Sequence, residues 1–315
     1  MSRMPSDLRR LADRQDAVLS ARQILDAGMS RSRVQRLVEE GAWQRQHPGV
    51  YVVHSGPVEW RSRAHAALLH AGDGAALSHH SAAYVHELVL RPPASVEVVV
   101  PHQRRVVGSS ELRIRRRRAI VAERRARLVV VDRAETVLDL LGAAPSEDRA
   151  AAVLCEALRR RVPPDHLLDA LGRRARLRHR SLALDVLGTP TVEVESPLEL
   201  RYRRDVERRH GLPRAVRQRW ELLDGRWLRA DAVYEGLGVR VELDGEVAHP
   251  GGRTDADVWR DNAVAVGGGG ITLRYRWPHV VADPCGVARQ VAEALAGRGW
   301  TRSPRLCGLA CTATR

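Results

Sequence analysis

Apolar and polar residues alternate along the stretch from Arg229 to Pro250. Because the alternation has a period of two and is interrupted at Gly236 and Leu237, it predicts two β-strands joined in a tight hairpin. If these two residues form the loop, Asp231 on the first strand lies opposite Glu242 on the second, with Cβ atoms about 4.5–5.5 Å apart. The pattern therefore brings two carboxylates together.

A third carboxylate belongs to the same face of the predicted hairpin. Asp244 follows Glu242 by two residues, so strand alternation puts both on one side while Leu243 between them points into a core. Like charges this close need a cation between them, or one of them must take up a proton. Oxygen-only ligation suits Mg²⁺ or Mn²⁺, so we expect Asp231, Glu242 and Asp244 to bind a metal for phosphodiester chemistry. The alternative is a solvated strand face.

Two further polar residues are expected beside these carboxylates. A second hairpin turn is predicted at Asp224-Gly225, and it places Gln218 opposite Asp231, where the amide would orient the carboxylate or a metal-bound water. The segment Ser196-Pro197-Leu198-Glu199 is typical of the first turn of a helix. Glu199 is then either a helix cap, the role we favour, or an outer ligand of the metal or its water.

The rest of the C-terminal half predicts a helix over 254–266, a strand over 271–275 and a helix from about 284 to 297, giving the order αβββαβα around a mixed sheet.

The residues that carry a family resemblance are Asp231, Glu242-Leu243-Asp244-Gly245, His249, Glu195-Ser196-Pro197-Leu198-Glu199 and Trp259-Arg260-Asp261-Asn262. They resemble the very-short-patch-repair-like branch of the PD-(D/E)xK nucleases. The resemblance implies an α/β restriction-endonuclease-like fold in which Asp231 and Glu242 hold the metal. Asp244 stands where the broader superfamily has lysine, and the chain contains no lysine.

Two more residues complete the expected catalytic set. His249 would act as a base, or stabilise charge on the phosphate, because imidazole has a near-neutral pKa. Arg260 would clamp the scissile phosphate. The full set of candidate catalytic residues is Asp231, Glu242, Asp244, His249, Glu199, Gln218 and Arg260.

The N-terminal residues predict a small α+β region with a winged helix-turn-helix. A capping box at Ser20-Ala21-Arg22-Gln23 opens one short helix, and a second helix begins at Ser30 or Ser32. Two strands around His47-Pro48-Gly49 would form the wing. The residues that the apolar stripe of the second helix leaves facing outward are Arg31, Arg33, Gln35 and Arg36. These side chains suit double-stranded DNA, and the alternative is a helical hairpin with a solvated basic face.

The middle of the chain adds a basic segment, Arg113 through Arg118, whose Arg115 and Arg117 are further candidates for DNA binding. The alternative is a solvated strand. Histidines around Ser78-His79-His80-Ser81-Ala82-Ala83 lack ligand spacing, so we expect them to be buried or capping. The order of winged helix, this Ser-His motif, a strand, the basic segment and an Asp-Leu helix resembles the antitoxin of type IV abortive-infection toxin–antitoxin systems. The resemblance covers about the first 170 residues and implies a cognate toxin as a possible partner.

Composition narrows the class of protein. The net charge of +14 and the pI near 11 indicate a polyanionic partner, and the scarcity of aromatic residues, 4%, disfavours stacking of single-stranded bases. The four cysteines show no metal-ligand pattern, so we expect free thiols. No apolar run is long enough to span a membrane, and a cytoplasmic setting is expected.

These observations predict four segments: a winged helix-turn-helix (1–55), an antitoxin-like α/β region (56–185), a nuclease-like domain (186–300) and a tail (301–315). The favoured hypothesis is a DNA-binding protein with a Mg²⁺- or Mn²⁺-dependent DNA endonuclease module. The alternative is a non-catalytic, antitoxin-like transcriptional regulator with a degenerate nuclease fold. A third possibility is that the C-terminal domain acts on RNA.

Overall fold

The computed structural model of the chain describes residues 4–187, 196–223, 226–244 and 270–314. The chain divides into two compact units, Met1–Leu187 and Gly188–Arg315. Within the described residues, no helix combines the length and the apolar character needed to cross a membrane.

The described helices of the first unit are α1 (Ser6–Arg14), α2 (Ala21–Asp26), α3 (Arg31–Glu39), α4 (Trp60–Ala71), α5 (His79–Val85), α6 (Arg133–Ala143), α7 (Glu147–Arg159), α8 (Pro164–Gly172) and α9 (Arg180–Leu187). Its strands are β1 (Val18–Ser20), β2 (Gln44–His47), β3 (Val50–Val52), β4 (Ala76–Leu77), β5 (Val96–Pro101), β6 (Leu112–Arg117), β7 (Ala122–Arg125) and β8 (Leu128–Val131). The strands form two sheets, ordered β1-β3-β2 and β6-β5-β4-β8-β7.

Local capping fixes the N-terminal helices as the sequence predicts. Ser20 Oγ accepts a hydrogen bond from Gln23 N at 3.2 Å, and Gln23 Oε1 accepts one from Ser20 N at 2.8 Å, so the capping box is present. Helix α3 begins after Ser30, whose hydroxyl accepts from Arg33 N at 3.4 Å. Strands β2 and β3 form the expected wing, and β1 adds a third strand that the pattern did not predict.

His65, His79 and His86 are buried and hydrogen-bonded, as expected, whereas His80 is exposed. His65 Nδ1 lies 2.9 Å from Asp16 Oδ2, and His86 Nε2 donates to the Val131 carbonyl at 2.8 Å. Burial lowers the pKa of His65, His79 and His86, because an apolar environment disfavours the charged imidazole. These side chains therefore hold the packing of the unit together in their neutral form.

The Ser-His motif joins helix α5 to strand β5 through a buried carboxylate. Glu97 is 4% exposed, and its Oε2 accepts from the backbone N–H of His80 at 2.9 Å. The hydroxyl of Ser81 in turn accepts from Glu97 N at 2.9 Å. The motif thus supplies hydrogen bonds at the first turn of α5 and at the start of β5, a structural role.

The second unit is a mixed α+β arrangement. Its described helices are α10 (Pro197–Arg201), which continues as the π-helical segment Tyr202–Arg208, α11 (Trp277–Ala282) and α12 (Pro284–Ala296). Its strands are β9 (Val216–Leu223), β10 (Arg226–Tyr234), β11 (Val239–Asp244) and β12 (Ile271–Arg276). The sheet order is β12-β11-β10-β9, with β9 to β11 antiparallel and β11 and β12 parallel. The mixed sheet is as predicted, and the helix expected over 254–266 lies outside the described residues.

One face of this sheet is buried against the helices. Val239, Val241 and Leu243 enter the core beside Tyr202 and Val206, so the predicted alternation of β11 is confirmed. The opposite face carries the candidate carboxylates. The more specific restriction-endonuclease-like fold stays a prediction.

Candidate nucleic-acid interface and carboxylate site

Helix α3 presents polar and basic side chains on its outer surface. Three of the four residues predicted to face outward are exposed, namely Arg31, Gln35 and Arg36. The fourth, Arg33, is half-buried. Gln35 Nε2 donates to Glu39 Oε1 at 2.9 Å, which holds the amide along the helix surface. The helix therefore exposes guanidinium groups and one amide, which can donate hydrogen bonds to phosphate oxygens and to the edges of bases.

The wing adds one more exposed cation. Arg45 lies on β2 and is exposed, while Trp43 just before it is 6% exposed and packs into the core of the small domain. Gly49, at the turn between β2 and β3, has φ of +72°, a left-handed conformation that favours glycine. The backbone N–H of Ala21 donates to the Gly49 carbonyl at 2.7 Å, which ties the turn of the wing to the start of α2.

Arg115 and Arg117 on β6 are engaged by buried carboxylates of the first unit. Arg117 forms an ion pair with Asp139, whose side chain is 1% exposed. Arg115 Nη2 lies 3.8 Å from Glu97 Oε1. A buried carboxylate without such a cation would be costly. Both arginines thus have a structural task here, and their contact with DNA stays a prediction.

The carboxylate hairpin of the second unit has the predicted register. Ala232 pairs with Val241 across β10 and β11, so the next residue outward on β10, Asp231, lies across from Glu242. Asp231 Oδ2 accepts from the backbone N–H of Leu243 at 2.7 Å. Glu242 is 6% exposed. The two carboxylates predicted to face each other therefore lie on neighbouring strands of one face.

Gln218 connects two acidic residues of this face. Its Nε2 lies 3.1 Å from Asp231 Oδ1 and 3.0 Å from Glu199 Oε2, so the expectation that it contacts Asp231 is confirmed. Gln218 has φ of +48°, an unfavourable region for a residue with a Cβ atom. Ser196 Oγ caps α10 by accepting from Glu199 N at 3.2 Å. The backbone N–H of Glu199 thus takes part in the helix cap, while its carboxylate contacts Gln218 in the candidate site.

Arg274 is a cation of this site that sequence reasoning missed. Parallel pairing of β11 and β12 sets it beside Glu242, and its Nη1 lies 3.4 Å from Asp244 Oδ1. A guanidinium here reduces repulsion between the carboxylates, so these groups do not by themselves require a metal. Among the described residues, the metal-ligating side chains gathered within 4.8 Å of one another belong to a His and Cys group elsewhere in the unit. Asp231, Glu242 and Asp244 are not in that group.

Residues 6–54 match the family of transcriptional regulators described as AbiEi antitoxins. The match spans α1 to β3, the segment predicted to be a winged helix-turn-helix, and supports the N-terminal part of the expected resemblance. Among solved structures, the chain is similar to the RV2827C protein from Mycobacterium tuberculosis, with 14% identity, a TM-score of 0.41, and coverage of 59% of this chain and 78% of that chain. No curated protein matches the chain. The nuclease resemblance of the C-terminal half stays a prediction.

Two of the candidate catalytic residues, His249 and Arg260, lie outside the described residues. The described part of the predicted set is therefore Glu199, Gln218, Asp231, Glu242 and Asp244. The structure brings the first three together through hydrogen bonds and places the last two on the neighbouring strand.

Two exposed tryptophans extend the same face of the sheet. Trp220 is 59% exposed and Trp227 is 65% exposed. Trp220 follows Gln218 by two residues and Trp227 precedes Asp231 by four, so alternation keeps all of them on one side. The Arg229 guanidinium lies 5.9 Å from the centroid of the Trp220 ring. The sequence pattern did not predict this surface, because aromatic residues are scarce and only the register of the hairpin places both tryptophans on one face.

Proposed function

We propose that the first unit binds double-stranded DNA through α3 and its wing, and that the protein acts as a DNA-binding regulator of the antitoxin type. One observation carries the proposal. Helix α3, which exposes Arg31, Gln35 and Arg36, lies within residues 6–54, the segment that matches the family of antitoxin regulators. Arginine donates bidentate hydrogen bonds to phosphate and guanine, and glutamine to adenine. The net charge of +14 adds long-range attraction to DNA.

Binding of the full-length protein to its own promoter tests this function. A promoter duplex should bind more tightly than a scrambled duplex, by roughly 10³-fold or more, and both affinities should fall as salt rises. Anisotropy titrations at several salt concentrations measure both effects. Equal affinity for promoter, scrambled and single-stranded DNA would contradict a regulator that reads sequence.

A cognate toxin is the second part of this proposal, because the matched family description names an antitoxin. The product of the neighbouring gene should arrest growth when expressed alone, and coexpression of this chain should restore growth. A neighbouring product that never arrests growth would remove the toxin partner while leaving DNA binding intact.

We also propose a metal-dependent DNA endonuclease activity for the second unit as the other candidate function. The observation that favours it is the hydrogen-bonded set Glu199, Gln218 and Asp231, with Glu242 on the adjacent strand. These donors are all oxygen or amide groups, which fits Mg²⁺ or Mn²⁺. Asp231 and Glu242 would hold the ion, with Asp244 completing the shell or positioning water.

The metal, when bound, would activate water and neutralise negative charge on the phosphate. Gln218 would keep Asp231 oriented, since one amide group contacts both that carboxylate and Glu199. His249 would remove a proton from the attacking water, and Arg260 would hold the scissile phosphate. The rival function for this unit is a non-catalytic platform for binding. In that case the positive charge of Arg274 takes the place of a metal and offsets the negative charge of the carboxylates.

Plasmid cleavage separates the nuclease from the platform. With Mg²⁺ or Mn²⁺, the nuclease should nick supercoiled DNA, Glu242→Ala should abolish nicking, and His249→Ala should slow it by about 10²–10⁴-fold. Glu111→Ala, an exposed glutamate of the other unit, should leave the rate unchanged. The substrates should include mismatched, methylated, branched and single-stranded DNA and RNA. Silence on every substrate, with promoter binding intact, would establish the platform and refute the nuclease.

A further inference from the structure

Three cysteines and one histidine of the second unit converge although they are far apart in sequence. The ligand atoms of His210, Cys285, Cys307 and Cys311 all lie within 4.8 Å of one another. Cys285 Sγ lies 3.5 Å from Cys307 Sγ and 3.7 Å from Cys311 Sγ. All four cysteines are free, as expected. The sequence predicted neither a metal-ligand pattern among them nor the position of three of them beside a histidine.

The sulfur separations match the edges of a tetrahedral metal site. With Zn–S bonds of about 2.3 Å, two thiolates on one zinc ion lie about 3.8 Å apart. A disulfide would require sulfur atoms only about 2.0 Å apart. The spacing of Cys307 and Cys311 also fits the Cys-x₂₋₄-Cys pattern of structural zinc sites.

His210 supplies an independent indication of a ligand. The side chain is 0% exposed, and its Nδ1 donates to the Val206 carbonyl at 3.0 Å. Its other nitrogen, Nε2, is buried and has no hydrogen-bond partner among the described residues. An orphaned buried nitrogen is costly, and a metal bond would satisfy it. A carbonyl that fixes Nδ1–H and leaves Nε2 for the metal is the usual support of a zinc-bound histidine.

The surrounding backbone already holds the four residues together. Cys285 follows Pro284 in the first turn of α12, so the start of this helix fixes its position. Arg305 N donates to the His210 carbonyl at 2.7 Å, which brings the C-terminal segment onto the end of the π-helical segment. Cys311 is 5% exposed and Ala313 is 2% exposed, both within the core of the unit. Cys311 and Ala313 thus anchor the C-terminal segment in this core, while most of the other residues of 301–314 are exposed.

We propose that His210, Cys285, Cys307 and Cys311 form a structural zinc site that fastens the C-terminal segment to the second unit. Thiolate ligands select zinc over magnesium or calcium. Four protein ligands close the coordination sphere, so the ion stabilises the fold and leaves no position for a substrate. The site uses none of the carboxylates proposed for DNA cleavage.

Metal analysis of the full-length protein, purified under reducing conditions from zinc-supplemented cells, tests the site. One zinc ion per chain is expected, and Cys307→Ser should lose it. Cobalt substitution should give the visible absorption of tetrahedral cobalt–thiolate centres in the wild type alone. Chelation should lower the Tm of the wild-type protein and leave the Tm of Cys307→Ser unchanged.

Two matched variants serve as controls. Cys155→Ser removes a buried cysteine of the other unit and should retain the zinc ion. Glu242→Gln removes a candidate magnesium ligand and should also retain it. The proposal is refuted if the reduced wild-type protein binds neither zinc nor cobalt, or if Cys307→Ser and Cys311→Ser each keep a full zinc ion. A Cys285–Cys307 disulfide in the reduced, zinc-supplemented preparation would also overturn it.

Discussion

The proposed contact of α3 with DNA gives a quantitative prediction for binding. The perturbation is the triple variant Arg31→Gln, Arg33→Gln, Arg36→Gln on α3, which removes three guanidinium groups from one helix surface. Each phosphate contact contributes about 0.9 to the slope of log affinity against log salt, so three contacts contribute about 2.7. Raising the salt from about 50 to 200 mM should then weaken the wild type roughly 40-fold more than the variant.

Anisotropy titrations of the full-length protein on a labelled duplex measure this slope. The control is Arg9→Gln, Arg10→Gln, Arg14→Gln on α1, which removes the same charge from exposed positions on another helix. If charge alone matters, both triples lose the same slope. That outcome would refute α3 as the DNA-contacting helix, whereas a loss confined to the α3 triple supports it.

Two further predictions concern stability. Gln218→Ala removes the amide that contacts Glu199 and Asp231, and it should lower the free energy of unfolding of the second unit by about 1–3 kcal/mol in urea titrations; an unchanged midpoint would show that these contacts add nothing. Burial lowers the pKa of His86 in the folded protein. As the pH falls, this histidine therefore binds a proton in the unfolded chain at a higher pH than in the folded chain. Stability should therefore be full above the ordinary histidine pKa of about 6.5 and fall below it, by at most about 1.4 kcal/mol per pH unit for this group. His86→Gln keeps a donor for the Val131 carbonyl and should reduce that slope; an identical acid slope would contradict the assignment.

The sequence by itself determined the local features of this protein. The capping box of Ser20, the start of α3 after Ser30 and the hairpin registers that face Asp231 with Glu242 and Gln218 were all predictable. Each depends on residues close together along the chain, whose periodicity and turn chemistry fix the geometry. The matched N-terminal family agrees with that local reading.

Only the tertiary structure decided which distant charges and thiols meet. Arg274 reaches Asp244 because β11 and β12 pair in parallel, and Arg117 reaches Asp139 across the first unit. Spacing indicates neither partner. β11 and β12 are parallel and joined by a long connection, so the sequence pattern does not fix their register, and Arg117 and Asp139 lie 22 residues apart on a strand and a helix. The same holds for His210 and Cys285, which come together at the meeting point of two helices and the C-terminal segment. Local pattern determined the elements, and long-range packing determined the chemistry between them.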